Sequence, residues 1–238
     1  MKTFLLTVLM IFSSFYCFSE EIKQPDGSIY YGSLKNGLFN GFAKQIWPNG
    51  ETYEGTYLNG LMDGEGKFIT KAFVYTGQYK NGLMNGYGII EYYTGTIYKG
   101  HFVDGLFEGE GSLIDSFGEY IGNFLKGEKH GNGILTLANG YSYEGDFEKG
   151  LFNGFGNYTY SNGTIYVGNF KDGLFHGFGI YFDPNNDIHI TGEFDNGNFP
   201  EVQLNIFERN KDKTILVFLI ISFIFNIFFI SKILSRKD

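Results

Sequence analysis

The chain has almost no cysteine. Its one thiol, Cys17, lies in the first twenty residues, so the rest can form neither a disulfide framework nor a thiolate metal site. Proline numbers only four among 238 residues, which excludes a proline-rich linker, and glycine without a strict three-residue period excludes collagen. Basic charge is also scarce. Residues 20–212 carry 13 Lys and Arg against 25 Asp and Glu, a net charge of −12 that repels nucleic acid and anionic membrane surfaces. Recognisable chemistry is missing too: there is no G-x-S-x-G elbow, no phosphate-binding loop and no D-x-D-x-D-G calcium loop. A non-enzymatic protein without cofactors is expected.

What is abundant is glycine and aromatic residues: 35 Gly, 27 Phe and 18 Tyr. Aromatic residues at this density supply apolar area to bury, so the glycines do not signal disorder. The two are ordered by a repeat. In Tyr166-Val-Gly-Asn-Phe-Lys-Asp-Gly-Leu-Phe-His-Gly-Phe-Gly179, an aromatic residue stands two before a lead glycine and a large apolar residue two after it. Further glycines follow at five, nine and eleven. The lead glycines are Gly32, Gly55, Gly77, Gly100, Gly122, Gly145, Gly168 and Gly192, spaced 22 to 24 residues apart. A fixed period of this length marks a repeat architecture in which each unit packs on its neighbours.

Each repeat reads as two strands. Thr164–Phe170 alternates, with Ile165 and Val167 on one face and Tyr166, Gly168 and Phe170 on the other. A loop over Lys171–Gly177 is expected to turn the chain into a second strand, about Phe178 to Phe182. Tight hairpin turns are expected at Asp26-Gly27, Asn49-Gly50, Asn139-Gly140 and Asn162-Gly163. The lead glycine is expected to leave room for a ring from the next strand, and Leu38, Leu61, Leu83, Leu106, Leu151 and Leu174 to fold over the rings as a ridge. Three repeats depart from the pattern. Glu128 and Lys129 interrupt the ridge in the fifth or open it to water, Thr70–Val74 suggests a wider connection in the second, and Ile190–Glu201 is a degenerate cap.

The pattern Y-x-G-x-F-x-x-G-x-x-x-G-x-G at this spacing, over residues 30 to 201, resembles the MORN repeat family. The resemblance implies an elongated, curved array of β-hairpins in a single antiparallel sheet, and a role in scaffolding, membrane-associated assembly or tethering. Seven intervals of about 9.6 Å give a length of roughly 67 Å. The organisation expected is a signal peptide over residues 1–19, the array over 20–201, a polar stalk over 202–213, a transmembrane helix over 214–234 and a tail over 235–238.

Both ends are apolar. Lys2, the run Phe4–Phe12 and the small residues at Cys17-x-Ser19 read as a secretory signal cleaved before Glu20, with an uncleaved anchor as the alternative. Ile215–Leu234 is 20 residues long, about 30 Å as a helix and enough to span a bilayer. A single pass then places the repeats on the extracytoplasmic side, lumenal or extracellular, and the C-terminus in the cytoplasm. Flanking basic residues are balanced: Arg209, Lys211 and Lys213 before the span, and Lys232, Arg236 and Lys237 after it.

Few residues remain as sites. His130 and His176 occupy one loop position two repeats apart, an expected separation of about 19 Å, too far for one metal. His101 and His189 stand alone. Asp63, Glu65, Glu108 and Glu110 flank motif glycines, and a solvated acidic edge or a weak calcium site accounts for them. Asn157-Tyr-Thr159 and Asn162-Gly-Thr164 are glycosylation sequons, with Asn162 in a turn and Asn157 on a strand. The reading is a membrane-anchored scaffold that offers an extended sheet to an unidentified protein partner, with homo-oligomers left open. A cytoplasm-facing tether that binds phospholipid is the alternative, and a lumenal hydrolase or metal enzyme a third.

Overall fold

The computed structural model describes residues 21–200; the expected signal peptide, stalk and transmembrane helix lie outside the described residues. Among the described residues every element is a strand, and no helix is long and apolar enough to cross a membrane. The strands are β1 (Glu21–Lys23), β2 (Ile29–Lys35), β3 (Leu38–Ile46), β4 (Thr52–Leu58), β5 (Leu61–Ile69), β6 (Phe73–Lys80), β7 (Leu83–Tyr92) and β8 (Ile97–Val103). They continue as β9 (Leu106–Asp115), β10 (Gly118–Leu125), β11 (Glu128–Leu137), β12 (Ser142–Glu148), β13 (Leu151–Thr159), β14 (Ile165–Lys171), β15 (Leu174–Asp183) and β16 (Ile188–Phe194). All sixteen form one sheet in chain order, antiparallel throughout, as the repeat predicts.

The two kinds of turn are the reverse of those expected. Between β14 and β15 only Asp172 and Gly173 lie outside the strands, with φ of 52° and 83°. Two consecutive left-handed residues make a type I′ turn, whose twist matches that of the flanking strands. The stretch Leu174–Gly177 belongs to β15, and its extra residues form a bulge, where the register shifts between Gly168 and Phe170. At Asn162-Gly163, in contrast, only the glycine has positive φ. Gly163 N–H donates to Tyr160 O (3.0 Å), Tyr160 N–H to Thr164 O (2.8 Å), and Thr164 N–H to the Asn162 side-chain oxygen (3.0 Å). That is a three-residue loop with a glycine bulge, held by an Asx turn. The Thr70–Val74 connection is tighter than expected. The Thr70 hydroxyl accepts from Ala72 and Phe73 N–H at 3.0 and 2.9 Å, closing the chain around Lys71 and Ala72.

The core lies on one face. The lead glycines and the glycines opposite them pair strand after strand, Gly55 with Gly66, Gly66 with Gly77, and so on to Gly179 with Gly192. They form a continuous trough across the sheet. Over it lie Tyr53, Tyr75, Tyr98, Tyr120, Tyr143 and Tyr166, all fully buried. Each ring comes from its own strand, two residues before the lead glycine, rather than from the next strand as expected. A methyl group added at Gly168 would stand 2.6 Å from the Tyr166 hydroxyl. The hydroxyl then donates to the backbone carbonyl three residues on, as Tyr166 does to Asn169 O at 2.9 Å. Buried phenols usually have such a partner, and the Tyr166 side chain reaches this one by lying over Gly168 of its own strand.

Phenylalanines complete the layer. Phe107, Phe152 and Phe175 stack on Tyr98, Tyr143 and Tyr166 with centroids 3.6, 3.9 and 3.8 Å apart. Phe170 meets Tyr166 edge-on at 5.2 Å, and Phe194 of the next repeat does so at 5.0 Å. Each such pair contributes roughly 0.5–1.5 kcal/mol beyond its area. In the cap, Ile190 stands where tyrosine is expected, and Pro200 covers Gly192 instead.

Candidate interaction surfaces

The face opposite the tyrosines carries the leucines that follow each turn, and this corrects the expected ridge over the rings. Leu38, Leu61, Leu83, Leu106, Leu151 and Leu174 are each about half exposed, at 47–49%. Their register partners across the turn lie on the same face: Lys35, Leu58, Lys80, Val103, Glu148 and Lys171. The leucines lean sideways along the sheet. The Leu38 and Leu174 side chains stand 3.7 Å from where a Cβ would sit on Gly60 and Gly197, the next repeat's turn glycines.

Asp63, Glu108 and His176, among the polar residues singled out in the sequence, join adjacent turns. Asp63 Oδ2 accepts the Asn81 N–H at 3.2 Å and Glu108 Oε2 the Lys126 N–H at 2.9 Å. In the same slot of other repeats, Asn85 donates to Asp104 at 3.3 Å, and His176 Nδ1 lies 3.6 Å from Asp195 Oδ1. His189 faces Asp187 at 3.8 Å, and the His101 ring meets Tyr87 edge-on at 5.6 Å. Glu65 and Glu110 are exposed. Among the described residues no group of His, Cys, Asp or Glu converges as metal ligands would.

Burial perturbs the phenols. Desolvation pushes Tyr120 and Tyr166 up to about 12, and raises Tyr53, Tyr98 and Tyr143 further, with Asp63 and Glu65 adding to the rise at Tyr53. In the fifth repeat Lys129 takes the stacking position, its ammonium 5.2 Å from the centre of the Tyr120 ring. Burial lowers its pKa, and Asp115 partly offsets that. The ladder is thus interrupted by a cation rather than opened to water.

A second aromatic row borders the loop-side edge of the tyrosine face. Trp47, Phe68, Phe73 and Tyr92 form one run, with centroids 5.6–6.4 Å apart. Tyr141, Tyr158, Tyr160 and Tyr181 form another. Sequence reasoning missed both, because these residues fall outside the glycine pattern. It also missed Gln45, which donates to Ser28 Oγ at 3.0 Å and accepts from the Tyr57 hydroxyl at 2.7 Å inside the first repeats. Of the two sequons, Asn162 is exposed at a loop tip, while Asn157 sits within β13 with its side-chain oxygen buried.

The MORN repeat pattern matches the chain seven times, at residues 30–52, 53–71, 75–97, 98–116, 120–140, 143–165 and 166–188. The chain belongs to the MORN repeat family. The seven matches tile the described sheet from β2 to the start of β16 and leave the cap outside the family pattern. Comparison with curated protein sequences finds no match. Among solved structures, the TCP domain of Drosophila melanogaster SAS-4, in complex with a proline-rich motif of Ana2, is 15% identical. The match covers 76% of this chain and 94% of that one, with a TM-score of 0.38. The TCP10 domain of Danio rerio CPAP is 11% identical over 74% of this chain and 84% of that one, with a TM-score of 0.40. Superpositions this loose say nothing about what the MORN array binds.

Proposed function

We propose that this MORN-repeat protein is a non-enzymatic scaffold, anchored in a membrane through Ile215 to Leu234 and presenting its array to a protein partner on the extracytoplasmic side. The observation that carries the reading is the single sheet itself. One face is sealed by buried tyrosines, of which Tyr53, Tyr75, Tyr98, Tyr120, Tyr143 and Tyr166 donate their hydroxyls to backbone carbonyls, and the other bears half-exposed leucines. A one-layer sheet leaves two broad surfaces and no enclosed cavity wall on which to assemble catalytic groups, which suits binding better than chemistry. The apolar segment at residues 215–234, with the signal-like start, supports the anchor and its orientation. Asn162, at an exposed tip, is the sequon better placed for a glycan in a eukaryotic lumen.

Protease protection on intact vesicles tests the topology: digestion of the array from outside cells, or its protection inside sealed vesicles, is expected. Cleavage of the array on the cytoplasmic side overturns it and favours the tether reading. That reading also needs salt-sensitive binding to anionic liposomes, against a surface whose net charge is strongly negative.

A further inference from the structure

Six apolar side chains form a strip on the leucine face between the second and fifth repeats, broken once. Leu58, Leu61, Leu83, Val103, Leu106 and Leu125 are each 41–50% exposed and come from β4, β5, β7, β8, β9 and β10, with Lys80 of β6 the one interruption. A hydrophobic row of this regularity on consecutive strands is more than scattered surface leucine. Exposed acids border it on the same face: Glu65 and Glu110 one pleat inward, and Glu128 at the end, where it pairs with Leu125.

We propose that this strip docks an amphipathic, basic α-helix of a partner protein, laid across the strands; the proposal rests on the scaffold reading above. Two features of the surface select that occupant. Strands follow one another every 4.8 Å or so, while a helix rises about 5.4 Å per turn. A helix crossing the sheet therefore sets one apolar residue, at i, i+3 or i+4 and i+7, on each successive strand. Charge does the rest. The carboxylates beside the leucines match lysines flanking an apolar helical seam and repel an acidic one. Lys80 breaks the row on one strand, where the helix would present a polar or acidic residue.

The test uses the full chain in phosphatidylcholine nanodiscs. The probe is a fluorescent 21-residue peptide of three Leu-Lys-Lys-Leu-Leu-Lys-Lys heptads, with signal from empty discs subtracted. Its counterparts are the same peptide with Glu for Lys and a scrambled sequence of equal composition. The lysine peptide is expected to bind at least tenfold more tightly than either. Leu61→Asp with Leu83→Asp and Leu106→Asp should weaken it at least tenfold, while circular dichroism shows the fold unchanged. Glu65→Lys with Glu110→Lys should reverse the preference between the two charged peptides. Several results overturn the proposal: equal binding of the scrambled or acidic peptide, binding to empty discs that accounts for the whole signal, or indifference to the triple substitution. So does self-association abolished by that substitution, since the occupant would then be a second copy. A partner protein captured equally by wild type and triple variant removes the strip but leaves the scaffold standing. Failure of both to capture any partner counts against the scaffold itself.

Discussion

At the scale of the residue, the architecture depends on the pairing of one ring with two glycines. Tyr166 lies over Gly168 on its own strand and Gly179 on the next, and a Cβ at either would stand 2.5–2.6 Å from the phenol. Gly168→Ala should therefore destabilise the array by several kcal/mol, as overpacking does when neither backbone nor ring can yield. Tyr166→Phe removes only the hydroxyl and its bond to Asn169 O, and should cost about 1 kcal/mol. Denaturant titration of both variants checks the order; equal losses would show that the trough is looser than the contacts imply.

The same phenols set an alkaline limit. Their folded pKa values are raised above the ordinary value near 10, so the unfolded chain loses those protons first. Stability should stay level below about pH 10 and fall as the pH climbs from there through 12, with tyrosinate absorbance rising in step with unfolding. A midpoint of denaturation unchanged between pH 9 and pH 11.5 would contradict the burial. The glycines and tyrosines of this motif could be read from sequence because their spacing is fixed. Which ring covers which glycine could not, since alternation places Tyr166 and Gly168 on one face without saying that the side chain bends forward along its own strand.

At the scale of the element, the hairpin carries two turns of different kinds. Expectation reversed them for a physical reason: Asn-Gly is favourable for both type I′ turns and glycine-bulge loops, and the dipeptide alone does not distinguish them. What decides is the bulge at Gly177, visible only as an unexplained excess of residues between turn and trough. The leucine after each turn was misplaced by the same miscount, because taking Lys171–Gly177 as a loop hides the strand parity of Leu174. Lys129 is the informative exception within an element. Phe or Met occupies its slot in the other six of the first seven repeats, and Lys129→Phe should restore the stack on Tyr120. A gain of about 1 kcal/mol is expected from the added aromatic pair and the relief of a half-buried ammonium. A loss would mean that the cation–π contact outweighs stacking.

At the scale of the whole array, every strand pairs only with those before and after it in the chain. Stability is then a sum of local units and interfaces. Deleting one internal repeat, residues 98–119, should leave its neighbours folded and lower the denaturant slope roughly in proportion to the surface removed. Far-UV circular dichroism and amide exchange measure this. Collapse of the entire array would contradict it. Repetition made this scale the most legible of the three: a 22- to 24-residue period already implies a meander, whereas partner choice lies in what differs between copies. Glu65, Tyr87, Glu110 and Asn132 occupy one position in four successive repeats, and the side chain changes from each of these copies to the next.

The strictly sequential order of the strands also fixes how the array answers to force. Tension on the chain beyond Pro200 reaches β16 first, and reaches β15 only after β16 has come away. Hydrogen bonds then break in succession rather than in a shared row, so the sheet lengthens in steps of one strand or one hairpin at modest load. Pro200, lying over Gly192, and Phe199, packed edge-on against Tyr181 at 4.9 Å, are the catch that must release before the first step. A protein held at that end would yield to a pull as a graded extensible link, shortening again one hairpin at a time when the load falls.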